Sequence, residues 1–72
     1  MKLSLSPINE PYLHGYTSQR HATGKRVEIV RCYPNQWAVF ICHNGKALSQ
    51  LPPGDMPYPM ARRMARVAWD TL

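Results

Sequence analysis

The side chains with the clearest chemical potential in this sequence are cationic. Arg62, Arg63 and Arg66 fall within five residues of one another near the C-terminus, and Arg26 and Lys46 flank the central part of the chain. Guanidinium and ammonium groups attract anions, above all the phosphates of nucleic acids. The whole chain has a net charge of +5 and a pI near 9.7, which favours the same class of partner.

Two tryptophans could add base stacking to this attraction. Trp37 lies in the stretch QWAVFICHNGK, residues 36–46, and Trp69 follows Arg66 by one helical turn. Aromatic rings beside cationic side chains are typical of surfaces that bind nucleic acids. We therefore expect a small, basic, non-enzymatic module that binds nucleic acid through Arg26, Lys46, Arg62, Arg63 and Arg66, with Trp37 or Trp69 as the stacking partner.

In a second hypothesis the partner is another protein, which binds the apolar residues of this chain instead. On this view the chain is an accessory or inhibitor protein of the phage or mobile-element type, or a homodimer. Its docking surface is either the proline-rich stretch 52–59 or the apolar set Trp37, Val39, Ile41, Leu48 and Tyr58. The two hypotheses differ in their salt dependence, which is steep only for phosphate binding.

Catalytic and metal chemistry find little support in the residue spacing. The candidate metal ligands are His14, His21, Cys32, Cys42 and His43. They lack the short Cys-x-x-Cys or His-x-x-x-His spacing of a zinc site. The four carboxylates are scattered and no glycine-rich phosphate loop is present, so we expect no enzyme, metal, cofactor or small-molecule substrate.

Localisation follows from what the sequence lacks. No apolar run approaches the ~18 residues of a membrane span, and the N-terminal stretch MKLSLSPINEP has no continuous apolar segment of the signal-peptide kind. We expect a cytoplasmic protein without membrane contact, whose two cysteines are free thiols.

One domain is expected, since 72 residues leave no room for two. Residues 1–24 contain prolines and glycines without sustained periodicity and predict an irregular N-terminal arm packed on the sheet. Residues 25–72 predict a small α+β unit with the order βββα. Its strands end at the turn Tyr33-Pro34-Asn35-Gln36, at the hairpin signal Asn44-Gly45 and at Leu51, and its helix runs from about Pro59 to Leu72. At ~100° per residue the helix has an outer side with Arg62, Arg63, Arg66 and Asp70, and Trp69 lies at the boundary. The inner side would carry Met60, Ala61, Met64, Ala65, Val67, Ala68 and Leu72.

Regular two-residue turns would then fix which side chains share a face of the sheet. They pair Val30 with Val39 and Ile41 with Leu48, and they place Cys32 and Cys42 on opposite faces. One face would carry Val27, Ile29, Arg31, Ala38, Phe40, Cys42, Ala47, Ser49 and Leu51, and we expect the helix there. The other face would carry Trp37, Val30, Val39, Ile41 and Leu48, and we expect the N-terminal arm to cover it.

The order of three strands and a helix loosely resembles the DNA-binding modules of recombinase arm-binding and plant ethylene-response domains, which insert a sheet into the major groove. The likeness covers residues 26–72 and depends on Trp37, Asn44, Gly45 and Lys46. The stretch 52–59 is longer and richer in proline than that pattern expects, and the candidate outer face is more apolar. We therefore assign the chain to no family on this resemblance.

Overall fold

The computed structural model describes residues 2–72, including every side chain among them except that of Pro53. It is a small α+β domain with one antiparallel sheet and a C-terminal helix, as predicted, but the sheet has five strands rather than three. The strands follow one another as neighbours in chain order. They are β1 (Leu5–Pro7), β2 (Gly15–Ser18), β3 (Lys25–Tyr33), β4 (Gln36–His43) and β5 (Lys46–Met56), followed by helix α1 (Tyr58–Thr71).

The two additional strands come from residues 1–24, so the prediction of an irregular arm lying over one face was wrong. β2 pairs with the free edge of β3, with Tyr16 opposite Ile29, and β1 pairs with β2. Without β2, the backbone N–H and C=O groups along the outer edge of β3 would have no hydrogen-bond partners, and β2 provides those partners. Gly15 is required there, because a Cβ atom at this position would overlap the backbone carbonyl oxygen of Ile29.

The first predicted hairpin has the expected turn but a different register. Tyr33 pairs with Gln36 across the turn, and Asn35 takes the positive φ of 66° that the turn requires. Arg31 then pairs with Trp37, so that Cys32 is an extra residue in β3. This bulge shifts the ladder by one position, and Val39 lies opposite Ile29 instead of Val30.

The shift changes which residues share a face. Tyr16, Ile29, Val39 and Leu51 now form one row across four strands. The helix packs on this face, against Val27, Ile29 and Val39. We expected it on Val27 and Ile29, but in β4 it covers the face of Val39 and not the face of Ala38, Phe40 and Cys42 that we predicted. The helix therefore covers the face of Trp37, Val39 and Ile41, where we expected an N-terminal arm.

The second hairpin was predicted in part. Asn44 and Gly45 have φ of 53° and 77°, as a type I′ turn requires, and His43 pairs with Lys46. Leu48 is then a bulge residue, and Ile41 pairs with Ser49 rather than with Leu48. β5 also continues through the proline-rich stretch to Met56. It is an edge strand, so the backbone N–H groups on its outer side have no partner strand, and proline, which lacks an N–H group, is tolerated there.

The helix begins one residue before Pro59 and buries part of the predicted stripe. Ala61, Ala65 and Ala68 are buried as predicted, and Trp69, which we placed at the boundary, is buried with them. Met60 and Val67, which we placed on the inner side, are exposed. Small alanines let the helix approach the sheet closely, and Trp69 then fills the remaining volume of the core. None of the helices among the described residues is long and apolar enough to cross a membrane.

The two cysteines are free thiols in different surroundings. Cys32 is exposed in the β3 bulge, whereas Cys42 is buried on the sheet face opposite the helix. Burial, together with the neighbouring Glu28 carboxylate, raises the pKa of the Cys42 thiol to about 11. The neutral thiol is therefore the form present at physiological pH.

This difference predicts selective alkylation. At pH 8 we expect iodoacetamide to modify Cys32 readily and Cys42 at least roughly 100-fold more slowly, because only the thiolate reacts and a pKa of about 11 leaves little of it. The Cys42 rate should rise about tenfold per pH unit up to its pKa. Mass spectrometry of a Cys32→Ser variant isolates Cys42, and unfolding in guanidinium should restore its normal reactivity. Comparable native rates at both positions would contradict the burial of Cys42.

Candidate functional site

A groove between α1 and β1 contains most of the predicted arginines. It has a volume of about 460 Å³. Four of the residues that line it are cationic: Lys2, Arg62, Arg63 and Arg66. Leu3, Leu5 and Pro59 complete the lining, and the described residues that form the groove include no Asp or Glu. We call this feature the cationic groove.

The helix fixes one wall of the groove. Arg62 and Arg66 are separated by one turn and therefore follow the same flank of α1, whereas the buried Ala65 and Trp69 face the sheet. The Arg62 guanidinium donates a hydrogen bond to the Tyr58 hydroxyl over 3.0 Å. All three arginines are exposed, so their charged groups are open to an incoming ligand.

The N-terminal segment forms the other wall, and Gln19 holds it in place. The Gln19 side-chain amide donates to the backbone carbonyl of Lys2, and its oxygen accepts from the backbone N–H of Ser4 over 2.8 Å. Leu3 and Leu5 pack against the core under the helix. The groove therefore has an apolar base fixed by the fold and a cationic rim.

Three aromatic rings lie beside the N-terminal end of the helix. Trp37 and Tyr16 are stacked, with centroids 6.2 Å apart and planes 25° from parallel. Tyr58 contacts both rings, at 4.9 Å from Trp37 and 5.7 Å from Tyr16. All three are half-buried. This aromatic cluster adjoins the cationic groove through Tyr58, which is bound to Arg62.

The other predicted basic residues lie elsewhere. Arg26 lines a smaller groove of about 240 Å³ with Arg20 and the Asn44-Gly45 turn, on the opposite face of the sheet. Its guanidinium donates to the carbonyl of Ser18 over 2.9 Å. Lys46 is exposed and is not among the described residues that line either groove. The fold therefore does not unite Arg26 and Lys46 with the three arginines.

Two of the predicted binding residues are inaccessible. Trp69 has only 2% of its surface exposed and meets the His21 ring edge-on at 4.6 Å, so it cannot stack on a base. Val39, which we placed in the protein-docking surface, is fully buried beneath the helix. Trp37 and Ile41 are half-buried and pack on the same core, and Leu48 is 56% exposed in its bulge. With Val39 buried, these residues do not form a continuous apolar surface, which was one of the two docking surfaces offered by the second hypothesis.

Sequence reasoning missed Lys2 and Tyr16 of the site, because both lie in the segment that we predicted to be irregular. Only the alternation of Leu3, Leu5 and Pro7 with serines hints that this segment forms a strand, and β1 is three residues long. Tyr58 was considered only as a protein contact.

The described part of the chain contains no group of three His, Cys, Asp or Glu residues able to hold a metal ion. The candidate site thus consists of the cationic groove and the adjoining aromatic cluster. Comparison of the chain with family models, with curated proteins and with solved structures gave no match, so no relative assigns a role to this site.

Proposed function

We propose that this protein is a non-enzymatic module that binds nucleic acid through the cationic groove. The observation that supports this function most directly is the convergence of Lys2, Arg62, Arg63 and Arg66 on one concave surface, with no carboxylate among the described residues that line it. Cations gathered in this way create a positive potential that attracts a polyanion over long range.

The arrangement of the charges favours a phosphate backbone over a single anionic group. Arg62 to Arg66 spans about 6 Å along the helix axis at ~1.5 Å per residue, and Lys2 faces them from the other wall. A row of cations can contact successive phosphates of one strand, and each contact releases counterions. The apolar base of Leu3 and Leu5 suits the less polar sugar edge of such a strand.

The salt dependence of binding tests this function. We expect a fluorescently labelled 12-nucleotide single strand to bind in ~50 mM salt and to lose affinity steeply as salt rises. Four phosphate contacts predict a slope of about −3 in a plot of log K against log salt, from roughly −0.7 per contact. Fluorescence anisotropy measures both quantities.

Two results would contradict the proposal. One is the absence of binding to any single-stranded or duplex nucleic acid in ~50 mM salt. The other is an affinity that does not change between ~50 and ~200 mM salt, which would indicate that the contacts are not made to phosphates. A polyglutamate of equal charge is the matched control, and equally tight binding to it would show a general polyanion site.

A further inference from the structure

A third concavity lies on the far side of the aromatic cluster. It has a volume of about 400 Å³ and is bounded by the β1–β2 connection, β3 and the start of β4. Its lining includes Tyr16, Trp37, Arg31, His14 and Glu10. We call it the aromatic cleft.

The chemistry of this cleft differs from that of the cationic groove. It offers the surfaces of two stacked aromatic rings, one guanidinium and one carboxylate. The Glu10 carboxylate would repel a phosphate, but it can accept a hydrogen bond from the exocyclic amine of a base. Flat aromatic surfaces suit a nucleobase in the same way, because every base has a π-face that can stack.

The cleft and the groove are also joined. Leu5 lines the groove and Pro7 lines the cleft, and they lie two residues apart on the same face of β1, roughly 7 Å along the strand. Tyr58 completes the connection, since it touches Trp37 and Tyr16 on one side and accepts the hydrogen bond of Arg62 on the other. A single extended strand can therefore occupy both.

From this geometry we infer that the aromatic cleft is a base-binding site, and that the nucleic acid recognised by this protein is single-stranded. The inference rests on the proposed function, because phosphates in the cationic groove direct the next base into the cleft. Bases within a duplex are already stacked and paired, and their faces are not available to Trp37 or Tyr16. The ligand class is thus an unpaired strand, held by its phosphates in the groove and by one base in the cleft.

A comparison of oligonucleotides with the unmodified protein tests the inference. The probes are a 12-nucleotide single strand, an abasic strand with the same number of phosphates, and the corresponding duplex. We expect the base-bearing single strand to bind roughly 5- to 150-fold more tightly than the abasic strand, the range given by one stacked base. It should also quench tryptophan emission, and the quenching reports on Trp37 because Trp69 is only 2% exposed.

Variants at position 37 provide the matched comparison. Trp37→Leu keeps an apolar side chain but removes the ring, and it should lower affinity for the base-bearing strand to that of the abasic strand. Trp37→Phe keeps an aromatic face and should retain most of the difference. Thermal melting of each variant shows whether it is folded, and the affinity of each variant for the abasic strand is the reference against which its affinity for the base-bearing strand is compared.

The outcomes separate the two proposals. Equal affinity for the base-bearing and abasic strands would overturn the base site and leave phosphate binding in the groove intact. Tighter binding of the duplex than of the single strand would likewise overturn it. If none of the probes binds in ~50 mM salt, the proposed function fails and the base site fails with it.

Discussion

Replacing Trp69 by alanine is expected to lower the free energy of unfolding by about 3–5 kcal/mol, the usual cost of truncating a large buried aromatic residue. Trp69 is 2% exposed and packs in the core with Val27, Ile29 and Val39. A domain of 72 residues has a total stability of only about 4–11 kcal/mol, from ~0.05–0.15 kcal/mol per residue. The variant should therefore melt at least ~12 °C lower, or be largely unfolded at 37 °C.

Val67→Ala on the same helix is the control for this experiment. Val67 is 60% exposed, so its truncation should change the free energy of unfolding by less than about 0.5 kcal/mol. Urea denaturation followed by circular dichroism measures both variants. The pair also tests the rotation of the helix, because the sequence pattern placed Val67 inside and Trp69 at the boundary. A larger loss for Val67→Ala than for Trp69→Ala would contradict the observed packing.

Replacing Arg62, Arg63 and Arg66 together by glutamine is expected to lower affinity for a single-stranded oligonucleotide by roughly two orders of magnitude in ~50 mM salt. Three of the four cations of the groove are then lost, and the slope of log K against log salt should fall in magnitude by about 2. All three side chains are exposed, so the variant should keep its fold and melting temperature. Fluorescence anisotropy over a salt series gives affinity and slope together.

A second triple variant separates the groove from net charge. Changing Arg20, Lys25 and Lys46 to glutamine lowers the net charge by the same amount, from +5 to +2 since 5 − 3 = 2. None of these three is among the described residues that line the groove. We expect a loss of less than tenfold from the weaker overall field. An equal loss in both variants would show that binding depends on total charge and not on the groove.

The first hairpin shows how far local sequence reasoning reaches. The positions of β3 and β4 were predictable, because a β-branched run, the Pro34-Asn35 turn and a second apolar run are signals carried by neighbouring residues. The bulge at Cys32 was not, since nothing in that residue marks it as unpaired. A shift of one position exchanges the two faces of a strand. The helix face was therefore predicted correctly for Val27 and Ile29 in β3 but wrongly for β4.

The residues of the candidate site were likewise predictable only where local sequence patterns determine their positions. The grouping of Arg62, Arg63 and Arg66 was predictable because helical periodicity places them on the outer side. Lys2 was not, since its position opposite them depends on the Gln19 hydrogen bonds and on the pairing of β1 with β2. Trp69 was placed at the boundary because one helix alone does not show how deeply it enters the sheet.

The sequence by itself determined the local features of this protein: its basic charge, the Asn44-Gly45 turn, the two central strands and the arginine face of α1. Each of these depends on residues close together in the chain, where turn chemistry and periodicity act. The tertiary structure alone decided which tryptophan is buried, which face the helix covers, and that Lys2, Tyr16 and Tyr58 complete the site. These depend on backbone pairing and packing between distant segments. The free energy of such contacts is a property of all the segments together, so it cannot be deduced from one stretch of sequence.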